Sequence, residues 1–472
     1  MQEIKTFSKT LEGKSVLIYG MGKTGKPLVQ ALNKAGVKLV IGDDNPQSLK
    51  EFDEHQNIQR LNIETQDFSE LAFLVLSPGV PLTHPKPHKV VEKARQSALE
   101  IISDIELFFR IYPDFKTIGV TGTNGKSTTV SLISHILSKA GIDNALAGNI
   151  GTAMFDLDME GDNPLKWIVL EMSSYQIDLC PHFRPDISLI LNVTPDHIDR
   201  HGTIENYARI KARIFEPKEK ANAGAAVICS DDEYTKQILQ EIKKENARKV
   251  IEVSTHKLQS CDVYVQDNKL IDSREDTQNI GDLSTLRVLK GKHNAQNTAC
   301  AYAAARQTGL PPQTIWEAIK TFPGLNHRQY LVRTINGVHY INDSKATNAA
   351  SSAMALECYD NIFWIVGGRQ KQTGLQGLEK YAARIKQAFL IGESSDEFAK
   401  WFDRIGIEYR FCGTMDQALE HAHKAAQLQQ KEIKDKTVVL LSPACASFDQ
   451  YASFEERGAH FAKLVNALEE GV

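Results

Sequence analysis

The feature that most constrains this chain is a glycine-containing loop between a strand pattern and a helix pattern. Residues 117–130 read TIGVTGTNGKSTTV, so a strand-like run at Thr117–Val120 leads directly into the loop. The helical pattern after the loop ends at Gly141, which suits a helix C-terminus. Its apolar side consists of Leu132, Ile133, Ile136 and Leu137. A strand that feeds a helix through a tight loop predicts an α/β fold whose helix N-terminus faces a ligand.

The loop departs from the common phosphate-binding spelling G-x-x-x-x-G-K-[ST]. Val120 occupies the position of the first glycine, with Gly119 one place before it and Gly122 two places after it. The loop still contains the residue types that a phosphate-binding site needs. They are glycines that let the backbone approach the phosphate, a lysine for the phosphate oxygens, and a hydroxyl for Mg²⁺. The alternative is a structural turn. The predicted nucleotide-binding residues are Gly122, Thr123, Asn124, Gly125, Lys126, Ser127 and Thr128.

Polar residues follow the next two apolar runs, at the point where each strand ends. Glu171 follows Trp167–Leu170, and a polar stretch that includes His197 follows Ile187–Leu191. Because Mg²⁺ prefers carboxylate and hydroxyl oxygens, Glu171 is the expected metal partner of Ser127. The alternative for Glu171 is a helix-capping or surface acid. From the residues alone, His197 is either a ligand or an ordinary hydrogen-bonded loop residue.

A length of 472 residues predicts about three domains. The first block carries Val16–Ile18, then the glycine pattern Gly20–Gly25, and a second run, Val37–Ile41, that leads to Asp43. This βαβ pattern indicates a nucleotide or nucleotide-sugar site, although glycines also serve tight turns in any α/β protein. A third run, Phe73–Leu76, ends in Ser-Pro-Gly. We predict domains at residues 1–104, 105–323 and 324–472.

The remaining pattern is also open α/β. The third block repeats apolar runs at Phe363–Val366, Ala388–Ile391 and Val438–Leu441, with a helical stretch at Met415–Leu428. In the second block, Ala225–Cys229 predicts another strand. The polar stretch that follows, as far as Leu286, predicts a small antiparallel insertion.

Composition excludes several classes of protein. A net charge of −4 gives no reason to expect a nucleic-acid partner, and no run of apolar residues reaches the length of a membrane span. The seven cysteines are scattered without a CxxC pair, so neither a disulfide framework nor a zinc cluster is indicated. The N-terminal residues show no apolar secretory segment, and we therefore expect a cytoplasmic protein.

Four segments resemble the Mur ligases and the folylpolyglutamate synthases. GVTGTNGKSTT is similar to their ATP loop, and NVTPDHIDRHG, GKHNAQN and INDSKATN are similar to three further family segments. LEMSSYQ, SPGVP, GLNHRQY and LLSPACASFDQY resemble the D-glutamate-adding branch of the Mur ligases. The similar segments run from Gly20 to Phe454 and therefore cover all three blocks.

The resemblance implies a fold and a reaction. The fold is a UDP-sugar-binding Rossmann-like domain, a central P-loop ATPase-like domain and a C-terminal Rossmann-like domain. The reaction adds D-glutamate to UDP-N-acetylmuramoyl-L-alanine at the expense of ATP, through an acyl phosphate, in peptidoglycan precursor synthesis. The resemblance also implies a monomer.

The resemblance implies a catalytic set of Lys126, Asn149, His197 and Lys211. One Mg²⁺ would bind Ser127 and Glu171, and a second would bind His197 and a carbamylated Lys211. From the sequence alone, Lys211 is a surface lysine on a helix. Asn149, in AGNIG, would hold substrate oxygens.

The same resemblance assigns the remaining contacts. For ATP it implies Asn294, Asn297, Arg328, Asp343 and Lys345, with His327 as a further candidate; an N-cap is the alternative role for Asn294. For the UDP-sugar it implies Gly22, Lys23, Thr24, Asp43, Ser77 and Gly79. For D-glutamate it implies Thr347, Lys371, Ser447 and Phe448. Lys371 would pair with a carboxylate of the amino acid.

Three other functions remain open at this stage. A sister ligase or a folylpolyglutamate synthase would use the same ATP loop. A nicotinamide-dependent dehydrogenase would use the first glycine pattern and Asp43, but it leaves TGTNGKST without a role. A non-catalytic ATP-binding scaffold would keep the loop without the chemistry.

Overall fold

The computed structural model describes residues 2–159, 165–216, 224–256, 261–286, 288–370, 374–432 and 436–469. The chain forms two compact units, Met1–Leu283 with Asn294–Thr321, and Ser284–His293 with Phe322–Val472. The described residues contain three sheets, two in the first unit and one in the second. The predicted α/β class is confirmed.

The first sheet is parallel and has the strand order β3-β2-β1-β4-β5. Its strands are β1 (Ser15–Tyr19), β2 (Leu39–Gly42), β3 (Ile58–Arg60), β4 (Leu71–Leu76) and β5 (Ile101–Ile102). The helices of this region are α1 (Gln2–Thr10), α2 (Gly25–Lys34), α3 (Lys89–Gln96) and α4 (Asp104–Ile111). This is the Rossmann order of strands without a sixth strand, an arrangement in which ligands bind at the carboxyl ends of the strands.

The second sheet has nine strands in the order β14-β13-β12-β11-β10-β9-β6-β8-β7. Six parallel strands form its core: β6 (Lys116–Thr121), β7 (Asn144–Gly148), β8 (Trp167–Glu171), β9 (Ile187–Ile190), β10 (Ala225–Cys229) and β11 (Lys249–Ser254). The others are β12 (Val263–Gln266), β13 (Lys269–Asp272) and β14 (Gln278–Asp282). β12 joins β11 in parallel, while β13 and β14 pair antiparallel, which confirms the predicted insertion.

Seven helices accompany this sheet within the described residues. They are α5 (Lys126–Lys139), α6 (Ser174–Asp178), α7 (Ile198–His201), α8 (Ile204–Ala212), α9 (Glu233–Glu245), α10 (Lys292–Arg306) and α11 (Pro312–Lys320). One apolar core of the first unit includes side chains of both its sheets, from Val16 and Ile41 to Ile168 and Ile190. The loops of the two sheets are therefore held by shared packing.

The second unit contains a six-stranded sheet of order β15-β16-β20-β17-β18-β19. Its strands are β15 (Tyr330–Ile335), β16 (Val338–Asn342), β17 (Ile362–Gly367), β18 (Ile385–Ile391), β19 (Tyr409–Gly413) and β20 (Thr437–Leu441). Its helices are α12 (Ala349–Cys358), α13 (Ser395–Ile405), α14 (Met415–Glu432) and α15 (Phe454–Asn466). Apolar cores cover both faces of this sheet, as a largely parallel sheet requires.

Short 3₁₀ helices complete the described elements: Pro46–Phe52, Phe68–Glu70, Met154–Asp156, Arg213–Phe215, Leu283–Thr285 and Glu379–Arg384. Among the residues that the structure describes, no helix combines the length and the apolar character needed to cross a membrane.

Candidate active site

The predicted phosphate loop lies between β6 and the N-terminus of α5. Gly125 is the N-cap of α5 and has a φ of 85°, a left-handed conformation that glycine adopts without strain. A Cβ atom at this position would lie 2.1 Å from Oδ1 of Asn297 on α10. The loop therefore needs glycine here for two reasons, backbone conformation and close packing against a neighbouring helix.

Asn192, at the end of β9, holds the loop in place. Its carbonyl oxygen accepts the N–H of Thr123 at 2.9 Å, and its Oδ1 accepts the N–H of Asn124 at 2.9 Å. Its Nδ2 donates to the carbonyl of Asn124 at 3.2 Å and to Oε1 of Gln296 at 2.7 Å. The sequence places Asn192 first in the polar stretch after a buried strand, but it gave no indication of this role in holding the loop.

The lysine of the loop, Lys126, lies against the backbone of its own loop. Its Nζ donates to the carbonyl oxygens of Gly122 and Thr123, both at 2.9 Å. Ser127 is buried at the first turn of α5, and Thr128 beside it is partly buried. The loop thus brings one ammonium group and the hydroxyls of its first helical turn to one end of a helix, where the backbone dipoles favour an anion.

Glu171 ends β8, the strand between β6 and β7, and is only 2% exposed. Its Oε1 accepts a hydrogen bond from Nδ2 of Asn149 at 2.7 Å, and the Asn149 N–H donates to the Glu171 carbonyl at 2.9 Å. Its Oε2 has no hydrogen-bond partner among the described residues. A buried carboxylate oxygen without a donor needs a partner, and a cation is the partner that suits it.

Lys211 is buried, so the surface position predicted from its helix pattern is wrong. The residue is 1% exposed, and its Nζ donates to the Gly122 carbonyl at 2.9 Å and to Oγ1 of Thr121 at 3.2 Å. The same Nζ lies 4.5 Å from the ring centroid of Tyr207. Burial, reinforced by the charge of Lys126, holds the pKa of Lys211 well below its usual value. The neutral amine so favoured is the form that reacts with carbon dioxide.

His197 precedes α7 in a left-handed conformation, with a φ of 53°. Its Nδ1 is 2.9 Å from the hydroxyl oxygen of Tyr175, and its Nε2 is 3.6 Å from Oδ2 of Asp196. Burial, together with the charge of Lys126, lowers the pKa of the imidazole. A neutral imidazole is the form that ligates metals.

The oxygen atoms of Glu171 and Ser127 suit magnesium, and the neutral amine of Lys211 suits modification by carbon dioxide. The open oxygen of Glu171 and the hydroxyl of Ser127 are hard oxygen ligands of the kind that Mg²⁺ takes. No group of three or more His, Cys, Asp or Glu side chains is placed to hold a metal in the described part of the chain. An ion here would therefore take other oxygens as well, from serine, water or phosphate.

The asparagines of α10 lie buried beside the phosphate loop. Nδ2 of Asn297 donates to Oδ1 of Asn294 at 3.1 Å. Asn294 is the third residue of α10, so the alternative role of helix cap is wrong.

The first sheet gathers the predicted UDP-sugar residues at the carboxyl ends of β1, β2 and β4. Lys23 donates from Nζ to the Gly151 carbonyl at 3.0 Å, and Ser77 donates from Oγ to the Gly20 carbonyl at 2.8 Å. Asp43 accepts the N–H groups of Met21 and Asn45 at 2.6 and 2.8 Å. The other residues of this set lie on the same loops: Gly22, Thr24 and Gly79.

The neighbouring Asp44 is a residue that the sequence did not single out. Its Oδ1 accepts from the Tyr19 hydroxyl at 2.7 Å and lies 3.0 Å from Nε2 of His88. The carboxylate is thus fixed from two sides while most of its surface stays open to solvent, with 73% of the side chain exposed. Only spatial contact reveals this cluster, because its members lie on three separate segments.

In the second unit, Asp343 follows β16 and is buried. Its Oδ2 accepts from the Ser442 hydroxyl at 2.8 Å, and its Oδ1 accepts from the Gln329 N–H at 3.1 Å. Burial raises the pKa of the carboxyl to about 7. Arg328 is partly buried next to this pair of contacts, and its charge partly offsets the rise.

The other predicted residues of this unit lie on its loops. Lys345 places its Nζ 3.7 Å from the ring centroid of Phe454, and His327 turns toward Nδ2 of Asn342 at 3.2 Å. Thr347 and Ser447 lie on the segments after β16 and β20, and Phe448 is 63% exposed. Lys371 lies outside the described residues.

Comparison with known proteins agrees with this architecture. Residues 14–103 match the N-terminal domain model of MurD-like Mur ligases, and residues 120–305 match the Mur ligase middle domain model. The UDP-N-acetylmuramoylalanine–D-glutamate ligase of Agrobacterium fabrum is 42% identical over 465 residues, which cover 98% of this chain and 96% of the relative. The protein of the same name from Phenylobacterium zucineum is 42% identical over 468 residues, 98% of this chain and 97% of the relative.

A solved structure shows the same fold. The UDP-N-acetylmuramate–alanine ligase of Thermotoga maritima has a TM-score of 0.56 at 14% identity, covering 96% of this chain and 99% of that one. The phosphate loop, the two lysines that donate to it and the largely parallel sheets are those of an ATP-dependent α/β ligase. The chain belongs to the Mur ligase family. The dehydrogenase alternative is therefore wrong.

Proposed function

We propose that this ligase joins D-glutamate to UDP-N-acetylmuramoyl-L-alanine in peptidoglycan precursor synthesis, with cleavage of ATP to ADP and phosphate. The names of the relatives over 98% of the chain support this substrate pair. The observation that carries the chemistry is the convergence of two lysines on one carbonyl. Lys126 and Lys211 both donate to the carbonyl oxygen of Gly122, in the loop after β6. The neighbouring strand β8 ends at Glu171, whose Oε2 has no hydrogen-bond partner among the described residues.

In the first step, an oxygen of the alanyl carboxylate attacks the γ-phosphorus of ATP. The bond from that phosphorus to the β,γ-bridging oxygen breaks, and ADP leaves while an acyl phosphate forms. Such a transfer depends mainly on alignment and on neutralising charge. Lys126 and the N–H groups at the start of α5 stabilise the charge on the phosphate oxygens.

In the second step, the amine of D-glutamate attacks the acyl carbon. The tetrahedral intermediate loses a proton from nitrogen to water and expels phosphate, which leaves an amide. Asn149, fixed by Glu171 through two hydrogen bonds, holds the oxygens of the reacting carboxyl group. The lowered pKa of His197 favours the neutral imidazole, which would serve the metal site.

We propose two Mg²⁺ ions at this site. Ser127 and Glu171 would hold the first, and His197 with a carbamylated Lys211 would hold the second. When bound, Mg²⁺ draws charge from the phosphate oxygens. The carbamate gives Lys211 the negative charge that a metal ligand needs, and the low pKa of its amine favours that modification.

The remaining residues are assigned to the UDP-sugar, to ATP or to D-glutamate. Gly22, Lys23, Thr24, Asp43, Ser77 and Gly79 hold the UDP-sugar at the first sheet. Asn294, Asn297, Arg328, Asp343 and Lys345 contact ATP, and Thr347, Lys371, Ser447 and Phe448 bind D-glutamate. Domain boundaries near residues 104 and 323, action as a monomer and a cytoplasmic location complete the proposal.

An isotope transfer tests the acyl phosphate. UDP-N-acetylmuramoyl-L-alanine labelled with ¹⁸O in both alanyl carboxylate oxygens is turned over with ATP and D-glutamate, and the released phosphate is analysed by mass spectrometry. The proposal requires one ¹⁸O atom per phosphate, because the attacking oxygen leaves with phosphorus. Unlabelled phosphate accompanied by amide product would refute it.

A further inference from the structure

Two loops from different sheets meet at Arg200. Arg200 lies on α7, is 6% exposed, and donates from Nη1 to Oγ1 of Thr83 at 2.8 Å. The Thr83 hydroxyl also lies 3.4 Å from the Arg200 carbonyl. Two residues after Arg200, a Cβ atom at Gly202 would lie 3.3 Å from Nε2 of His84, the residue after Thr83. The segment after β4 is therefore packed directly on the segment that carries His197.

The other side of Arg200 faces His197 through an aromatic ring. The guanidinium carbon of Arg200 lies 5.2 Å from the ring centroid of Tyr175. The hydroxyl oxygen of Tyr175 is 2.9 Å from Nδ1 of His197. A continuous path of contacts thus runs from Thr83 through Arg200 and Tyr175 to the imidazole.

Stability alone does not explain this placement. Nη2 of Arg200 is buried and has no hydrogen-bond partner among the described residues. Burial lowers the pKa of the guanidinium, although the nearby Asp178 partly compensates. Leaving a charged donor unpaired in the interior is unfavourable, so a role other than folding is the simpler explanation.

We propose that Arg200 is a positioning residue that couples the nucleotide-sugar loop to the catalytic loop. The inference rests on the proposed function. Thr83 lies in the segment that begins with Ser77 and Gly79, and Tyr175 orients His197. The contact sets the distance between the site that holds the UDP-sugar and the site where its carboxylate reacts. Misplacement by about 1 Å lowers catalysis by about a hundredfold in well-aligned sites.

Conservative variants on both sides of the contact test this role. Thr83→Val removes the hydroxyl at nearly constant volume, and Thr83→Ser restores it. Arg200→Lys keeps the charge but not the planar geometry. The exposed Lys86 on the same loop supplies a matched control, Lys86→Gln. The measurements are kcat and KM for each substrate, and calorimetric binding of UDP-N-acetylmuramoyl-L-alanine and of UDP alone, without ATP or metal.

We expect Thr83→Val and Arg200→Lys each to lower kcat/KM for the UDP-sugar substrate about tenfold, the effect of losing one charge-assisted hydrogen bond. Binding of UDP alone, and the KM for ATP, should stay within about twofold of wild type. Thr83→Ser and Lys86→Gln should behave as wild type. The double variant that combines Thr83→Val with Arg200→Lys should lose little kcat/KM beyond either single variant.

Unchanged kcat/KM in Thr83→Val would overturn the inference, and so would fully additive losses in the double variant. If the variants bind UDP alone as weakly as they bind UDP-N-acetylmuramoyl-L-alanine, the inference also fails, because the contact would then only shape the nucleotide pocket. If the wild-type enzyme binds the sugar nucleotide but releases no phosphate with D-glutamate, the proposed function fails. Even then, comparing the calorimetric binding of UDP-N-acetylmuramoyl-L-alanine with that of UDP alone still decides whether Arg200 links the two loops.

Discussion

Lys211 occupies an environment that an ammonium group does not favour. It is buried, it donates to the same carbonyl as Lys126, and its pKa is strongly lowered. An amine in this state either stays neutral or is converted to an anion that can hold a cation. Carbamylation makes that conversion with carbon dioxide alone, and it is reversible.

Removal of dissolved carbon dioxide should therefore inactivate the enzyme. We expect phosphate release to fall at least about tenfold in degassed buffer, the size of effect that loss of metal-site support produces. Bicarbonate should restore it. Lys211→Arg should be inactive in either buffer. Carbon-13 NMR with labelled bicarbonate should show a carbamate signal in wild type, and fully active enzyme with an unmodified Lys211 would contradict the assignment.

Asp343 should make the stability of the folded protein fall as the pH rises. Burial raises its pKa from 3.8 to about 7, so the folded protein binds a proton that the unfolded chain releases. This contribution to stability is present below about pH 4 and is lost as the pH rises to about 7, by at most about 1.4 kcal/mol per pH unit.

Asp343→Asn removes that dependence because the amide does not titrate. Its free energy of unfolding, measured with urea, should rise relative to wild type between pH 5 and pH 8. Its activity should fall, because Asp343 is a proposed ATP contact. An identical difference between the two proteins at pH 5 and pH 8 would show that the carboxyl of folded Asp343 does not titrate with the raised pKa.

The sequence predicted some of these residues and missed others for physical reasons. Glu171 follows a buried strand, and the carboxyl ends of parallel strands face a shared site, so its place was predictable. Burial of Lys211 depends on contacts with Thr121 and Gly122, far away in sequence, and its own helix gives no sign of them. Only the family resemblance identified that lysine.

At the scale of elements, the turn before α5 carries the nucleotide site. The two glycines that flank this helix have similar backbone conformations but different surroundings. Gly125 has a φ of 85° and would place a Cβ atom against Asn297, whereas Gly141 has a φ of 72° and nothing within 4 Å.

Replacing each glycine by alanine separates backbone strain from steric conflict. Gly141→Ala should lower the free energy of unfolding by about 1 kcal/mol, the cost of a left-handed alanine, and leave the KM for ATP unchanged. Gly125→Ala should be destabilised further and should raise the KM for ATP at least about tenfold, because the loop and Asn297 must move apart. Equal effects of the two substitutions on KM would contradict this account of the loop.

Strands buried on both faces were predicted well, because their apolar runs are continuous. The hairpin of β15 and β16 was missed, since β15 is half-exposed along most of its length and shows no clean alternation. Helix α9 was missed too, although Asp232 caps it and Ile238, Leu239 and Ile242 form its buried side. Its many charged residues hid that side in a polar stretch for which only an antiparallel insertion was predicted.

At the scale of the whole molecule, three predicted blocks correspond to three sheets. The shared core of the first two sheets was not predictable, because it joins apolar faces that lie far apart in the chain. That packing brings the segment with Thr83 against the segment with Arg200. The exact boundaries at residues 104 and 323 stay predictions.

The central claim is that the loop at Lys126 makes an unreactive carboxylate able to form an amide with D-glutamate. The most direct test measures phosphate release and amide product together, with UDP-N-acetylmuramoyl-L-alanine, ATP and D-glutamate. The account predicts equal amounts of both for wild type, no more than background with L-glutamate, and loss of both in Lys126→Ala. Phosphate without product, or product formed without ATP, would contradict it.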